Sequence, residues 1–328
     1  MQSSQAQSNP GVGIVFILVG VLAISVNDML IKFLSGGYPL HQMVFARSTI
    51  GIVFSLMLVQ LEGGWRILRA DRPALHLLRC GMIVIANMTF FAALAVLPLA
   101  EATALFFVGP LFITLLSVPL LGEKVGALRL SAVIVGFVGV IIMTRPWEGQ
   151  TARDVPMVIY LLPILAAITY ATNQVLTRML GVTSKASALA VYIQVTFIIV
   201  SLGFWIVAGD GRYAEDVTNE SLVFLLRAWV WPEGRDVWLF LGLGFNSAVV
   251  GYALAQAYRS ADAAVVAPFE YAGLPLAIFW GWLIWADLPD RVTLMGIALI
   301  LGAGLFVFLR EHQKKRRILR GKRVHGRW

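Results

Sequence analysis

"VNDMLIKFL" (26–34) lies over "TNQVLTRML" (172–180) without a gap, and that match decides the fold. Asn27 meets Asn173, Asp28 meets Gln174, Leu30 meets Leu176, Lys32 meets Arg178 and Leu34 meets Leu180. At nearly the same offset "FARS" (45–48) lies over "YIQV" (192–195), so Arg47 meets Gln194. Further along, "LAEATALFF" (99–107) corresponds to "SADAAVVAP" (260–268), and "LLGEK" (120–124) to "IWADL" (284–288). The chain reads as one unit written twice.

The material of that unit is membrane helix. With 59% hydrophobic and 13% charged residues, the sequence lies outside the range of soluble domains, which are about 45–50% apolar and about 25% charged. Runs of about 20 apolar residues mark spans. They fall at 11–34, 39–61, 77–98, 100–121, 125–143, 156–179, 186–208, 236–257, 263–286 and 292–310. Helices are the open-chain way to satisfy so much backbone in lipid. The fold class is therefore all-α integral membrane, with ten transmembrane helices. An odd number of spans per copy places the copies in opposite orientations. Inverted five-helix repeats of this kind mark alternating-access transporters, with substrate held between them.

Domain organisation follows: a polar tail over 1–10, a first repeat over 11–145, a second over 156–310 and a basic tail over 311–328. The opening residues "MQSSQAQSNP" carry no positive charge, so the first apolar run reads as a retained helix and not as a leader peptide. The loops assign both termini to the cytoplasm. Eighteen Lys and Arg then face inward and six outward, with Lys32 and Arg47 left in the outer halves of helices. The net charge of +8 is concentrated in "REHQKKRRILRGKRVHGRW" (310–328). Directly after a helix, such a cluster reads as an anchor at anionic lipid and not as a nucleic-acid site. One cysteine, Cys80, excludes an internal disulfide and any multi-cysteine metal site. The excursion 209–235 contains "SLVFLLRAWVW", too short to span and read as an interfacial helix. Trp280, Trp282 and Trp285 suit an aromatic belt.

"AEATALFFVGPLFITLLSVPLLGEKV" (100–125), "GFVGVIIMTRP" (136–146) and "APFEY" (267–271) resemble the EamA domain of the drug/metabolite transporter superfamily. "VAPFEY", with an arginine in the second helix, is most similar to the branch containing bacterial S-adenosylmethionine and riboflavin transporters. The resemblance covers about residues 11–310. It implies secondary transport of a small polar or amphipathic metabolite across the bacterial inner membrane, without a cofactor. Drug or amino-acid export on the same fold is the alternative it leaves open.

Ionisable groups inside a membrane helix are costly and face a cavity or a partner. Asp28 and Arg47 sit at matching depth on consecutive antiparallel helices and are expected to pair, as an outer gate, a clamp for a charged substrate group, or a static pin. The mirror-image positions carry Asn173, Gln174 and Gln194, with Glu270 just after Pro268 in a helix that proline is expected to break. Glu270, beside Tyr271, is a candidate substrate or proton ligand. Asn87 and Asn246, near the midpoints of their helices, are candidates to hold substrate or to bond between helices. Phe90, Phe91, Phe106, Phe107, Tyr170, Tyr252 and Tyr271 are candidate cavity aromatics. The glycines of "GFVGV" and "GAG" are expected to let helices approach. No nucleotide-binding motif is present. The four histidines, at interfaces or in the tail, form no catalytic set, so an enzyme is not expected.

Overall fold

A computed structural model describes residues 10–122, 126–147, 155–180, 185–215, 217–260, 267–306 and 309, apart from a few side chains, among them those of Arg178 and Pro268. The two tails, Glu123, Lys124 and Arg153 lie outside the described residues.

The described residues are helical and contain no strand. The helices are α1 (Pro10–Leu34), α2 (Leu40–Glu62), α3 (Pro73–Leu94), α4 (Leu99–Phe106), α5 (Gly109–Leu121), α6 (Ala127–Thr144), α7 (Met157–Leu180), α8 (Ala186–Ala208), α9 (Glu220–Leu226), α10 (Arg235–Ser260) and α11 (Gly273–Trp285), followed by α12 (Arg291–Phe306). Single 3-10 turns stand at Trp65–Leu68 and Ala267–Ala272. Seven segments among the described residues are long and apolar enough to cross a membrane, and the chain is a multi-pass membrane protein. α6, α11 and α12 are shorter.

Prolines set several boundaries. Pro73 opens α3 at its first turn, where a missing N–H costs nothing. Pro110 stands at the start of α5, so the run 99–121 breaks at Phe107 and Val108. Its counterpart is broken too: the 3-10 turn Ala267–Ala272 hands over to α11 at Gly273, two residues before Pro275.

α1 packs chiefly along α10, α3 along α7, and α2 along α8. The main core gathers Ile31, Phe91, Leu94, Leu105, Ala167 and Leu274, among others. Large apolar side chains such as Leu61, Ile199 and Ile206 point away from the bundle, as lipid-facing positions do. α6 and α12 cross closely. A Cβ on Gly139 would stand 2.8 Å from the Gly296 carbonyl, and one on Gly296 would stand 2.7 Å from the Gly139 carbonyl. That crossing tolerates no side chain, as expected of the "GFVGV" stretch.

Among the described residues, the 209–235 excursion holds one short helix, too short to span. α9 is short, capped by the Asn219 side chain on the Leu222 amide, and docked on the bundle, with Phe224 1% exposed. Ser221 donates to the Ala92 carbonyl at 2.6 Å. Gln42 donates to the Val230 carbonyl at 2.6 Å and accepts from the Val230 amide at 3.2 Å. The Leu225 carbonyl lies 3.1 Å from His41 Nδ1, Arg227 donates to the Gly36 carbonyl, and the Tyr38 hydroxyl donates to Asp236 at 2.7 Å. The excursion ties together the ends of α1, α2 and α3, and Tyr38 joins the turn between α1 and α2 to α10.

Candidate functional site

Ile24, Asn27 and Asp28 fall at i, i+3 and i+4 and so share one face of α1. That face borders a cavity of about 270 Å³, to which α2 adds Arg47, α3 adds Asn87, Phe90 and Phe91, α4 adds Phe106, and α7 adds Tyr170. The broken segment contributes Glu270 and Gly273. Four groups singled out from sequence, Asp28, Arg47, Asn87 and Glu270, therefore meet around one space.

Asp28 and Arg47 interact by charge, as expected, but make no direct bond to each other. Arg47 donates from Nη2 to Asn87 Oδ1 at 2.9 Å, and Asp28 accepts from the Asn27 amide at 3.1 Å. Opposite charges face one cavity, but each turns to a different carboxamide. The physical reason is rotational: neighbours at equal depth bond directly only if both helices turn them toward each other, and here both point into the space between. Arg47 is 8% exposed, with its guanidinium carbon 5.6 Å from the Phe91 ring centre and 5.5 Å from that of Phe197. Such stacking offsets part of the cost of burying the cation.

The aromatic wall is continuous. Phe91 and Phe90 lie 5.3 Å apart between ring centres, Phe90 and Phe106 5.1 Å, and Phe106 and Tyr170 5.2 Å. Gln174 donates to the Tyr170 hydroxyl at 2.6 Å. Of the seven aromatics considered from sequence, Phe90, Phe91, Phe106, Phe107 and Tyr170 line the cavity. Tyr252 instead stacks edge-on against Phe16. Tyr271 packs on Phe107 and presses against Gly304.

The mirror-image amides do not form one cluster. Gln194 borders a second cavity of about 180 Å³, lined also by Ile24, Asn27, Arg47, Phe197 and Ser247. Asn173 is buried and borders neither space. Asn246 takes its structural alternative and donates to the Ala23 carbonyl at 2.6 Å, joining α10 to α1. Lys32 donates to the Leu94 and Leu97 carbonyls at 2.8 and 2.6 Å, neutralising the C-terminal end of α3, and lies 5.4 Å from the Trp285 ring. Trp280 donates to Ser25 at 2.7 Å. Ser25, Thr103 and Ser247, polar groups on the cavity walls, were not among the sequence candidates. Small hydroxyls are common in membrane helices, where they bond to the preceding turn, and they give no signal of their own.

Residues 11–145 match the model of the EamA-like transporter family. The chain is 31% identical to a riboflavin transporter of Vibrio cholerae over 313 residues, covering 94% of this chain and 97% of that one. It is 26% identical to an S-adenosylmethionine uptake transporter of Rickettsia prowazekii, covering 91% and 93%. It is likewise 26% identical to the pseudopaline exporter CntI of Pseudomonas aeruginosa, covering 89% and 94%. A solved crystal structure at 19% identity superposes with a TM-score of 0.62 over 91% of this chain and 98% of its own, a likeness of fold.

Proposed function

The chain belongs to the EamA-like transporter family and is a transporter of small metabolites, not an enzyme; from that premise we propose that it is a secondary transporter working by alternating access. Its cargo is a flat heteroaromatic metabolite of the riboflavin or S-adenosylmethionine kind. The observation that carries this reading is the aromatic cavity. Four rings in sequence offer a stacking surface for a flat head. Asp28, Arg47, Asn87 and Glu270 provide the few convergent polar groups that fix orientation in a mostly apolar pocket.

The architecture proposed with it is ten helices in two inverted halves, α1–α6 and α7–α12. The packing supports this: exchanging the halves turns the α1–α10 contact into α7–α3 and leaves α2–α8 in place. Both fourth segments break near a proline, so that backbone at the cavity is released from its helix. The charge of the loops supports cytoplasmic termini in the bacterial inner membrane, with the basic tail against anionic lipid. Glu270, on the broken segment, is the carboxylate proposed to exchange a proton for substrate.

Reconstituted protein loaded with S-adenosylmethionine, riboflavin or an amino acid on either side of the bilayer tests the proposal. Saturable flux of a flavin or adenine compound is expected. Flux of amino acids alone, with neither ring compound competing, overturns the substrate class. The relative named as an exporter favours a second reading, outward flux, which the same vesicles measure.

A further inference from the structure

Arg47 stands between two spaces. Its guanidinium is flanked by Phe91, a wall of the larger cavity, and by Phe197, a wall of the smaller. Ile24, Asn27 and Arg47 border both. The two spaces differ in kind: the larger is walled by aromatic rings, whereas the smaller sets Asn27, Arg47, Gln194 and Ser247 among four apolar side chains. One ordered water needs roughly 10–15 Å³, so about 180 Å³ accommodates a chain of several heavy atoms.

Among the described residues, Arg47 has one protein hydrogen bond, from Nη2 to Asn87, and the Gln194 carboxamide has none. Donors left on a rigid guanidinium fork suit oxygen acceptors. We infer that the smaller cavity is a second substrate subsite, which takes the oxygen-bearing arm of the cargo while the ring head lies in the larger cavity. This rests on the ring-compound reading above. The arm carries hydroxyl or carboxylate oxygens that accept from Arg47, Asn27 and Gln194. Arg47 therefore reads head and arm at their junction, which makes the site selective for bipartite molecules over bare rings.

Gly51 supplies a way to alter one space alone. It borders neither cavity, and a Cβ there would stand 2.6 Å from Gln194 Nε2. The clash is with the far end of a flexible side chain, so in Gly51→Ala the carboxamide has to leave its seat at the smaller cavity. Alanine also suits a helix interior better than glycine.

The experiment is calorimetric titration of the purified full chain in detergent with two pairs: riboflavin against lumiflavin, the same isoalloxazine ring with a methyl group in place of the hydroxylated arm, and S-adenosylmethionine against 5′-methylthioadenosine, which lacks the amino-acid arm. For whichever pair the wild type binds, Gly51→Ala and Ser247→Leu are expected to weaken the armed compound at least about tenfold and to leave the armless one within about twofold. The flavin pair responding identifies a hydroxylated arm, and the adenine pair a carboxylate arm. Equal weakening of both members, or of neither, overturns the subsite while leaving the ring-compound reading standing. Wild type binding no member of either pair overturns both.

Discussion

The two halves carry one sequence pattern and use it differently. In the first, Asp28 and Arg47 turn their charges into the larger cavity. In the second, the corresponding Gln174 bonds to Tyr170 one turn back on its own helix, Asn173 is 4% exposed, and Gln194 borders the smaller cavity. Helix packing is alike in both; at these matched positions charge is kept in one. An ionised group at bilayer depth is retained where it acts and is expensive elsewhere, so at these matched positions the first half supplies the charges and the second supplies amides, while the second half's own carboxylate, Glu270, comes from its broken segment. On the proposed duplicated scaffold, the cavity lining is not symmetric.

The sharpest way to break that comparison is to write the second half's amides into the first. Arg47→Gln leaves Asp28 facing the cavity without its neighbouring cation, and Asp28→Asn does the converse. Loss of one partner from a buried charged set typically costs ~3–5 kcal/mol. Each single variant is expected to abolish transport and to lower the detergent-solubilised folded yield. The double variant restores charge balance and should recover folded yield, with transport still impaired because Arg47 is gone. A double variant as poorly folded as the sum of the singles would show that the two charges act independently.

Glu270 is next. Glu270→Gln removes an exchangeable proton and keeps size and hydrogen-bonding capacity. Accumulation driven by a pH gradient is expected to fall to the passive level, while exchange of labelled for unlabelled substrate persists. Gradient-driven accumulation equal to wild type, with unchanged pH dependence, removes the proton role.

Much of the helix layout was legible in the sequence. The spans read at 11–34 and 186–208 compare with Pro10–Leu34 and Ala186–Ala208, because a long apolar run between polar turns has few other solutions in a membrane. What each side chain faces was far less legible. In a soluble helix the apolar stripe marks the core. Here lipid-facing Ile199 and core-facing Leu105 are equally apolar, so the period carries no rotation. Hence Asp28, Arg47 and Asn87 could be nominated by charge and depth, but the amide that Arg47 takes, the separation of Gln194 from Glu270, and the Asn246–Ala23 bond could not. The break at Phe107 and Val108 had its signal, Pro110, inside a run whose hydropathy is continuous.

A second contrast lies in the connections. Residues 63–72 join α2 to α3, and 209–234 join α8 to α10, a much longer path. Yet each bonds to the second helix of the other half. Tyr192 of α8 donates to the Leu68 carbonyl at 2.7 Å, and Gln42 of α2 exchanges two hydrogen bonds with Val230. A net hydrogen bond is worth about 0.5–1.5 kcal/mol, more when a buried partner is left unmet. Gln42→Ala is therefore expected to destabilise by about 1–3 kcal/mol and Tyr192→Phe by about half that, read as unfolding midpoints in detergent. The reverse order would mean that the long excursion is loosely held and that the short turn is the firmer brace.

The smallest expected effect sharpens the comparison at the seam between the halves. Arg145, just past α6, pairs with Asp290, which also accepts from the Thr293 amide at 2.9 Å at the start of α12. The Thr293 hydroxyl first, then its amide and the Arg145 guanidinium, hold the Asp290 carboxyl down at about 2, from an ordinary 3.8. A depressed carboxylate contributes stability that is complete above about 3.8 and is lost as pH falls through about 2. The carboxylate side chain is 53% exposed, so screening keeps its share to about 0–1 kcal/mol. Asp290→Asn isolates the charge, because asparagine caps a helix about as well as aspartate. The variant should unfold slightly below wild type at pH 7 and pH 5 by the same margin, and the two midpoints should converge between pH 4 and pH 2. A margin that persists at pH 2 assigns the effect to the altered cap. No margin at any pH means that the ion pair across the seam is solvent-screened and that the packing around the Gly139–Gly296 crossing holds α6 to α12 without it.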